Sequence, residues 1–191
     1  MKEENAKRLE ELKANGHDYV DLGLPSGLKW ATCNVGASSP EEYGDYYAWG
    51  EVNTKSDYRP SNSATYGRSM SDISGNPTYD VARKKWGSSW RIPTRKEFEE
   101  LVVKCKWEWT TQNGKRGYKV TGPNGNSIFL PAAGSRGEPW LSSAGGYGYY
   151  WSSAPLEIDD RCAFDLGFSS SFYNVGWYGR DDGQSVRPVS E

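Results

Sequence analysis

Two periodicities divide this chain. Between Trp90 and Cys105 the apolar residues Phe98, Leu101, Val102 and Cys105 recur three or four apart, the spacing of one helical face. Thr94 stands where it can cap that helix, and Glu97, three residues on, completes a capping box. A shorter helix is predicted just upstream, with Asp80 as N-cap, Trp86 near its end and Gly87 as terminator. A third is predicted over Glu3 to Ala14, with Leu9 and Leu12 on one side and Asn15-Gly16 as C-cap, so residues 1–16 read as a polar helical extension.

Elsewhere the pattern is strand-like. Tyr19 to Cys33 reads as two short strands around a Pro25-Ser26-Gly27 turn, a hairpin that opens the domain. Trp107 to Thr110, Gly117 to Thr121 and Ser127 to Pro131 are joined by turns at Asn113-Gly114 and Pro123-Asn124-Gly125, which predicts an antiparallel meander. Two more strand-like frames, Gly148 to Ser153 and Gln184 to Val189, lie near the C-terminal end. Helices early and antiparallel strands late define the α+β class, as one domain over residues 17–191. The long Ser-, Gly- and Asn-rich region from Gly36 to Tyr79 has Tyr43, Tyr46, Tyr47 and Trp49 as predicted anchors, since long loops in compact domains are pinned by aromatics and often carry function.

Between the two C-terminal frames the alternation loosens. From Tyr147 to Asp182 the rings of Phe164, Phe172, Tyr173, Trp177 and Tyr178 are interleaved with Ser, Gly, Asn and Asp. Binding loops use this mixture, because rings give rigid contact area at low entropy cost while small polar residues adapt their hydrogen bonds. Ala163, Leu166 and Phe168 are the apolar positions a strand would bury here, and the broken spacing between Ala163 and Leu166 predicts a bulge.

Composition narrows the picture. The 191 residues suffice for one core and are few for two. Nine Trp and thirteen Tyr beside 22 Gly say that the core is built from flat rings joined by tight turns. A formal net charge of -2 with well-mixed signs gives no nucleic-acid footprint and no surface for an anionic membrane. No stretch approaches the ~20 apolar residues of a membrane span, and the charged start Met1-Lys2-Glu3-Glu4 lacks the apolar core of a signal peptide.

Chemistry finds little purchase. Cys33, Cys105 and Cys162 form no CxxC pair, which disfavours a thiol-redox or zinc site; free, mostly buried thiols are expected, with a single disulfide as the alternative. His17 is the single histidine and is expected to be exposed or capping beside a helix end, which leaves Ser-His and Cys-His dyads without support. No carboxylate pair has a spacing that singles out a glycosidase dyad. No catalytic residue, cofactor or metal is assigned, and the chain is expected not to be an enzyme.

Six separated motifs occur in an order that resembles a known family. They are the run from Asp21-Leu22-Gly23-Leu24-Pro25-Ser26-Gly27-Leu28-Lys29-Trp30 to Ala37, Tyr46-Tyr47-Ala48-Trp49-Gly50-Glu51, Trp90-Arg91-Ile92-Pro93-Thr94, Ile128-Phe129-Leu130-Pro131-Ala132-Ala133-Gly134, Tyr149-Tyr150-Trp151-Ser152-Ser153 and Ser185-Val186-Arg187-Pro188-Val189. Over roughly residues 17–191 the chain resembles the Fibrobacter succinogenes major paralogous domain, whose relatives are frequent in gut Bacteroidetes and their phages. The resemblance implies a C-type lectin-like fold of the formylglycine-generating-enzyme subtype, with two short helices and antiparallel strands. Arg91-Ile92-Pro93-Thr94 followed by Glu97-Phe98-Glu99 looks like the Arg-Leu-Pro-Thr plus Glu-Trp-Glu stretch of that broader group.

Some relatives with this layout are variable proteins of diversity-generating retroelements, in which a fixed lectin-like scaffold displays a hypervariable patch near its C-terminus. Template adenines are mutated there, so Asn codons become any NNY codon, and NNY cannot encode Trp, Met, Gln, Lys or Glu. Between Leu156 and Asp182 there is no Met, Gln or Lys, which fits, whereas Glu157 and Trp177 have to be fixed or template-different positions. Under that layout Ala163, Leu166, Phe168, Val175, Arg180 and Gly183 are framework. Ile158, Asp159, Asp160, Arg161, Phe164, Asp165, Gly167, Tyr173, Asn174, Tyr178, Asp181 and Asp182 are the display candidates, and Tyr147 and the aromatic anchor Trp177 join them in a ligand-contacting surface over residues 147–182.

The implied function is non-enzymatic recognition of a protein or surface-glycan ligand, on a bacterial cell surface or a phage virion, without nucleic acid or membrane insertion. The alternative is a constant glycan-binding or adhesion domain of a gut bacterial surface protein. A calcium-dependent lectin site is announced by Glu-Pro-Asn and Trp-Asn-Asp; this chain has Glu138-Pro139-Trp140 and no Trp-Asn-Asp, so Asp159-Asp160 and Asp181-Asp182 read as solvated acidic turns. The copper chemistry of formylglycine-generating relatives needs paired cysteines, and Cys162 stands alone in its region. Trp30, Trp49, Trp90 and Trp151 are assigned to the core, and Arg187 to satisfying carbonyls or a carboxylate inside the frame.

Overall fold

The structure, a computed structural model, describes residues 16–191, so the helix expected over Glu3 to Ala14 lies outside the described residues. The rest is α+β, mostly antiparallel strands in small sheets with two helices. Strands β1 (Tyr19–Asp21) and β2 (Lys29–Ala31) form the predicted opening hairpin, and β11 (Val189–Ser190) pairs with the other side of β2. The two ends of the described chain thus close one sheet.

Helix α1 (Val81–Trp86) starts where Asp80 accepts the Arg83 N–H at 3.0 Å and stops at Gly87, which takes a φ of 67°. Helix α2 (Arg95–Lys104) has the expected capping box: Thr94 Oγ1 accepts the Glu97 N–H at 3.3 Å and Glu97 accepts the Thr94 N–H at 2.8 Å. The same carboxylate takes two hydrogen bonds from the Arg91 guanidinium, at 2.7 and 2.9 Å, so the cap is fastened to the preceding segment. Phe98 and Leu101 are fully buried on its inner face. The meander of β3 (Lys106–Gln112), β4 (Lys115–Thr121) and β5 (Ser127–Pro131) follows, and Asn113 and Gly114 both take positive φ in the two-residue turn between β3 and β4.

The C-terminal part contains a hairpin of β6 (Ser135–Gly137) and β7 (Trp140–Ser142), which the sequence pattern did not predict, and a sheet of order β10-β9-β8. Its strands are β8 (Tyr147–Pro155), β9 (Cys162–Ser169) and β10 (Phe172–Gly179). β9 is buried on both sides. Leu166 and Phe168 join Trp30, Phe98 and Tyr118 in one core cluster, whereas Ala163 joins Trp49, Trp90 and Trp151 in another. The broken spacing from Ala163 to Leu166 therefore marks a strand between two cores and not a bulge in β9, which pairs with β10 without interruption. The irregularity falls on β8, between Trp151 and Pro155.

The frame from Gln184 to Val189 also departs from expectation. It is a buried thread tied by isolated bridges, Gln184 to Tyr47 and Ser185 to Tyr150, and becomes regular strand only at Val189. Arg187, wholly buried within it, donates to Asn34 Oδ1 at 2.9 Å and to the Ala31 carbonyl at 3.2 Å, so its partners are an amide and a carbonyl. Trp30, Trp49, Trp90 and Trp151 are core, as expected.

The long loop is pinned by Tyr46, Tyr47, Trp49 and Tyr58, all buried, while Tyr43 is half-buried; a single 3-10 turn, Pro60–Asn62, interrupts it. Trp49 Nε1 donates to the Ser152 carbonyl at 2.9 Å, fastening the loop to β8. The three thiols are unpaired and half-buried rather than buried, and desolvation pushes Cys105 up to about 11. His17 is not a free capping residue: its ring stacks on Trp86 with centroids 3.7 Å apart, and burial lowers its pKa.

Candidate functional site

Register decides what the C-terminal sheet presents. Residues directly opposite one another project from the same face. Tyr147, Ser169 and Phe172 form one row, Tyr149, Gly167 and Asn174 the next, and Trp151, Asp165 and Gly176 the third. Gly167 and Gly176 leave the middle of this face without side chains. Tyr149 and Tyr178 start on opposite outer strands, yet they close over that gap until their ring centroids stand 5.2 Å apart and their side chains share a hydrogen bond. Tyr147 stacks against Tyr149 at 6.2 Å and meets Phe172 at 6.3 Å, which extends the pair into an aromatic strip.

Carboxyls lie under and beside the strip. Asp165 is 2% exposed and accepts one hydrogen bond, from Gln184 Nε2 at 2.9 Å. Burial pushes its pKa up to about 7, against the Gln184 hydrogen bond and with help from the Asp182 charge. Asp182, just beyond β10, is raised to about 6, by burial and then by the neighbouring Asp181, which burial also raises. Among the described residues no donor reaches the Asp182 side chain.

The predicted site residues divide between two faces and a loop. Tyr147, Asn174 and Tyr178 line the tyrosine face; Asp181 and Asp182, half-buried, come after β10, and a Cβ on Gly179, which projects from the opposite face, would stand 2.8 Å from Asp181 Oδ1. Tyr173 and Trp177 rise from the opposite face, where Tyr173 stacks on Trp107 at 4.6 Å and 5°. Phe164 belongs to that face as well, but it is buried beneath the Arg95 guanidinium, 4.1 Å from the ring centroid. Phe164 and Asp165 were expected on a single exposed surface. Both are interior, because they lie on the central strand, and period two sends them to opposite sides.

Ile158, 91% exposed, heads the loop before β9. There Asp159 accepts the Arg161 backbone N–H at 2.9 Å and both arms of its guanidinium, at 2.9 and 2.8 Å, which holds the carboxylate down at about 2. Asp160 is exposed beside them. Among the described residues no group of three or more His, Cys, Asp or Glu side chains is arranged to hold a metal ion.

Four residues on or near the tyrosine face and its carboxyls were absent from the sequence-derived site. Tyr149 sat in a frame assigned to structure, and Gln184 in another; Phe172 stood in the aromatic segment without being chosen. Trp140, 71% exposed on β7, had no periodic signal at all. It lies opposite Gly137, and a Cβ on Gly137 would stand 3.4 Å from Asp182 Oδ1, so Trp140 projects on the Asp182 side of the hairpin. No protein-family model, curated protein or solved structure matches this chain.

Proposed function

We propose that this protein is a non-enzymatic recognition protein of C-type lectin-like, formylglycine-generating-enzyme-like fold, whose C-terminal sheet carries a ligand-contacting surface diversified by a retroelement. The observation behind this reading is the contrast between two paired strands. On β10 the large side chains Phe172, Tyr173, Trp177 and Tyr178 are exposed, whereas Ala163, Leu166 and Phe168 on β9 are fully buried. Exposed rings carried by an edge strand beside a well-packed neighbour are the mark of an interaction surface, here with Phe172 and Tyr178 on one face and Tyr173 and Trp177 on the other.

The packing of the family-like motifs supports the scaffold half of the reading. Trp30, Trp49, Trp90, Trp151 and Arg187, one from nearly every motif, are core residues. The ligand in this reading is a protein or a surface glycan met at a bacterial cell surface or on a phage virion. A constant adhesion surface is the second reading, and Trp177 favours it, since an NNY codon cannot write that exposed ring.

The test is to sequence the gene from many isolates and map substitutions onto the surface. Changes clustered at exposed, NNY-compatible positions within residues 147–182 are expected. Substitutions spread evenly along the chain would leave the constant adhesion domain.

A further inference from the structure

β10 is an edge of its sheet, and it lacks the usual protection of an edge. Its eight residues, Phe172 to Gly179, include no charge and no proline, the devices by which exposed strands avoid pairing. β3, an edge strand of comparable length, carries both Lys106 and Glu108. The phase of the ladder fixes which groups β10 turns outward. Arg180 continues that ladder, donating to the Arg161 carbonyl at 2.8 Å, so the even-numbered residues bond to β9 while Tyr173, Val175 and Trp177 point their N–H and C=O away from it. Among the described residues nothing hydrogen-bonds to these outward groups.

The other edge of the sheet is sealed. Along β8, Ser185 donates to the Tyr149 carbonyl and accepts from the Trp151 N–H, both at 3.1 Å, and Gly134 donates to the Tyr147 carbonyl at 2.8 Å. The sheet therefore has one open edge, and strand pairing through it closes at two copies instead of growing into a fibre.

We propose that β10 pairs antiparallel with β10 of a second copy, joining two three-stranded sheets into one. The strand is self-complementary about Val175. With Val175 opposite its own copy, outward groups meet outward groups, Phe172 faces Tyr178, Tyr173 faces Trp177, and Asn174 faces Gly176. Every ring then meets a ring, and aromatic pairs are among the favourable cross-strand contacts. Centring the pair on Gly176 instead sets Tyr173 against Gly179 and Trp177 against Val175, which leaves no ring opposite a ring. A foreign strand would have to reproduce this spacing; a second copy has it by identity, and brings no charge to repel the first.

Size makes the dimer a weak one. Phe172 and Tyr178 touch rings of β8 yet keep 40% and 42% of their surface in solvent, and Trp177 keeps 60%. With Tyr173 the exposed remainder is on the order of 400 Å² per copy, about half of the ~800 Å² that each side of a standard interface buries. The recognition reading concerns the faces of the sheet and this proposal its edge, so neither depends on the other.

Sedimentation equilibrium of the full chain, from micromolar to millimolar concentration, tests this. A monomer should pass to a dimer and no further, with a Kd on the order of 100 µM for so small an interface. Amide exchange followed by NMR should locate the contact: protection at Tyr173, Val175 and Trp177 should rise with concentration, and rise more than at Asn174 and Gly176, which already bond to β9. Trp177→Lys should weaken the dimer at least about tenfold, since each copy loses a ring pair, and keep the wild-type amide spectrum at low concentration. Asn174→Lys, which sets two lysines diagonally across the two-fold axis, should weaken it as well.

A chain that stays monomeric at millimolar concentration, growth beyond two copies, outward amides that gain no more protection than their neighbours, or a Trp177→Lys dimer as tight as the wild type overturns the proposal. None of these results bears on the pattern of substitutions among isolates, which tests the diversified display by itself.

Discussion

Gln184 donates its Nε2–H to Asp165 Oδ2 at 2.9 Å, and that bond is the one hydrogen bond the described residues give to a carboxyl that is 2% exposed. The pair lies in the floor of the sheet, between the tyrosines above and the Trp49 and Trp151 core below.

This pair predicts a pH dependence. Burial raises the Asp165 pKa in the folded state to about 7, well above the 3.8 of an ordinary aspartate, so the fold favours the neutral acid. Its contribution is intact below the unfolded value and is lost as pH rises through about 7, with a total loss on the order of 3 to 4 kcal/mol. Asp182, raised to about 6, acts in the same direction, but it is partly exposed and adds less. Thermal unfolding of the wild type and of Asp165→Asn, which keeps an acceptor for Gln184 and never ionises, should diverge between pH 4.5 and 8. Parallel profiles would contradict the assignment.

Arg180 ties the long loop to the sheet. Its guanidinium carbon stands 4.7 Å from the Trp49 ring centroid, and its nitrogens serve the carbonyls of Cys162, Thr65 and Arg68 at 2.9, 3.1 and 2.7 Å. Arg180→Met leaves these carbonyls without their donor, at a cost on the order of 3 kcal/mol or more. Hydrogen exchange should then accelerate at Gly67 and Arg68. Exchange unchanged in that segment would show that the aromatics hold the loop alone.

Trp90 is 4% exposed and meets Trp86 edge-on at 5.3 Å. Its replacement by alanine should cost about 3 to 5 kcal/mol. A denaturant midpoint close to the wild type would remove it from the core.

The exposed rings of β10 should not behave alike. Trp177→Ser should shift stability by less than about 1 kcal/mol, as surface changes do, and Tyr178→Ser by about 1 kcal/mol, since it also gives up the Tyr149 ring and hydrogen bond. Tyr173→Ser should cost more, roughly 1 to 2 kcal/mol, because it breaks the stack on Trp107 and the contact with Tyr118 at 5.5 Å. Equal melting temperatures for all three variants would mean that the stack contributes nothing.

Legibility followed the range of the determinants. Helix α2 was readable because Thr94, Glu97 and Phe98 lie within one turn, and the meander because Asn113-Gly114 adopts the turn its residue types favour. The β6–β7 hairpin was not, since three-residue strands carry no alternation and Glu138 takes a φ of 50° between them. The site was half legible. Composition located the aromatic segment, but which rings share a face depends on the register of β8 and β10 across β9. Nothing local announces the burial of Asp165, whose one partner is 19 residues away.

β10 has one neighbouring strand. A change in it disturbs a single ladder, while a change in β9 would reach both flanking strands and two cores. In population terms, many positions of β10 can drift at once without the compounding losses that scattered core changes inflict. Lineages that differ at Phe172, Asn174, Trp177 and Tyr178 would share one folding behaviour, while changes at Tyr173, stacked on Trp107, and at Val175, packed on the core, would not go unnoticed by the fold.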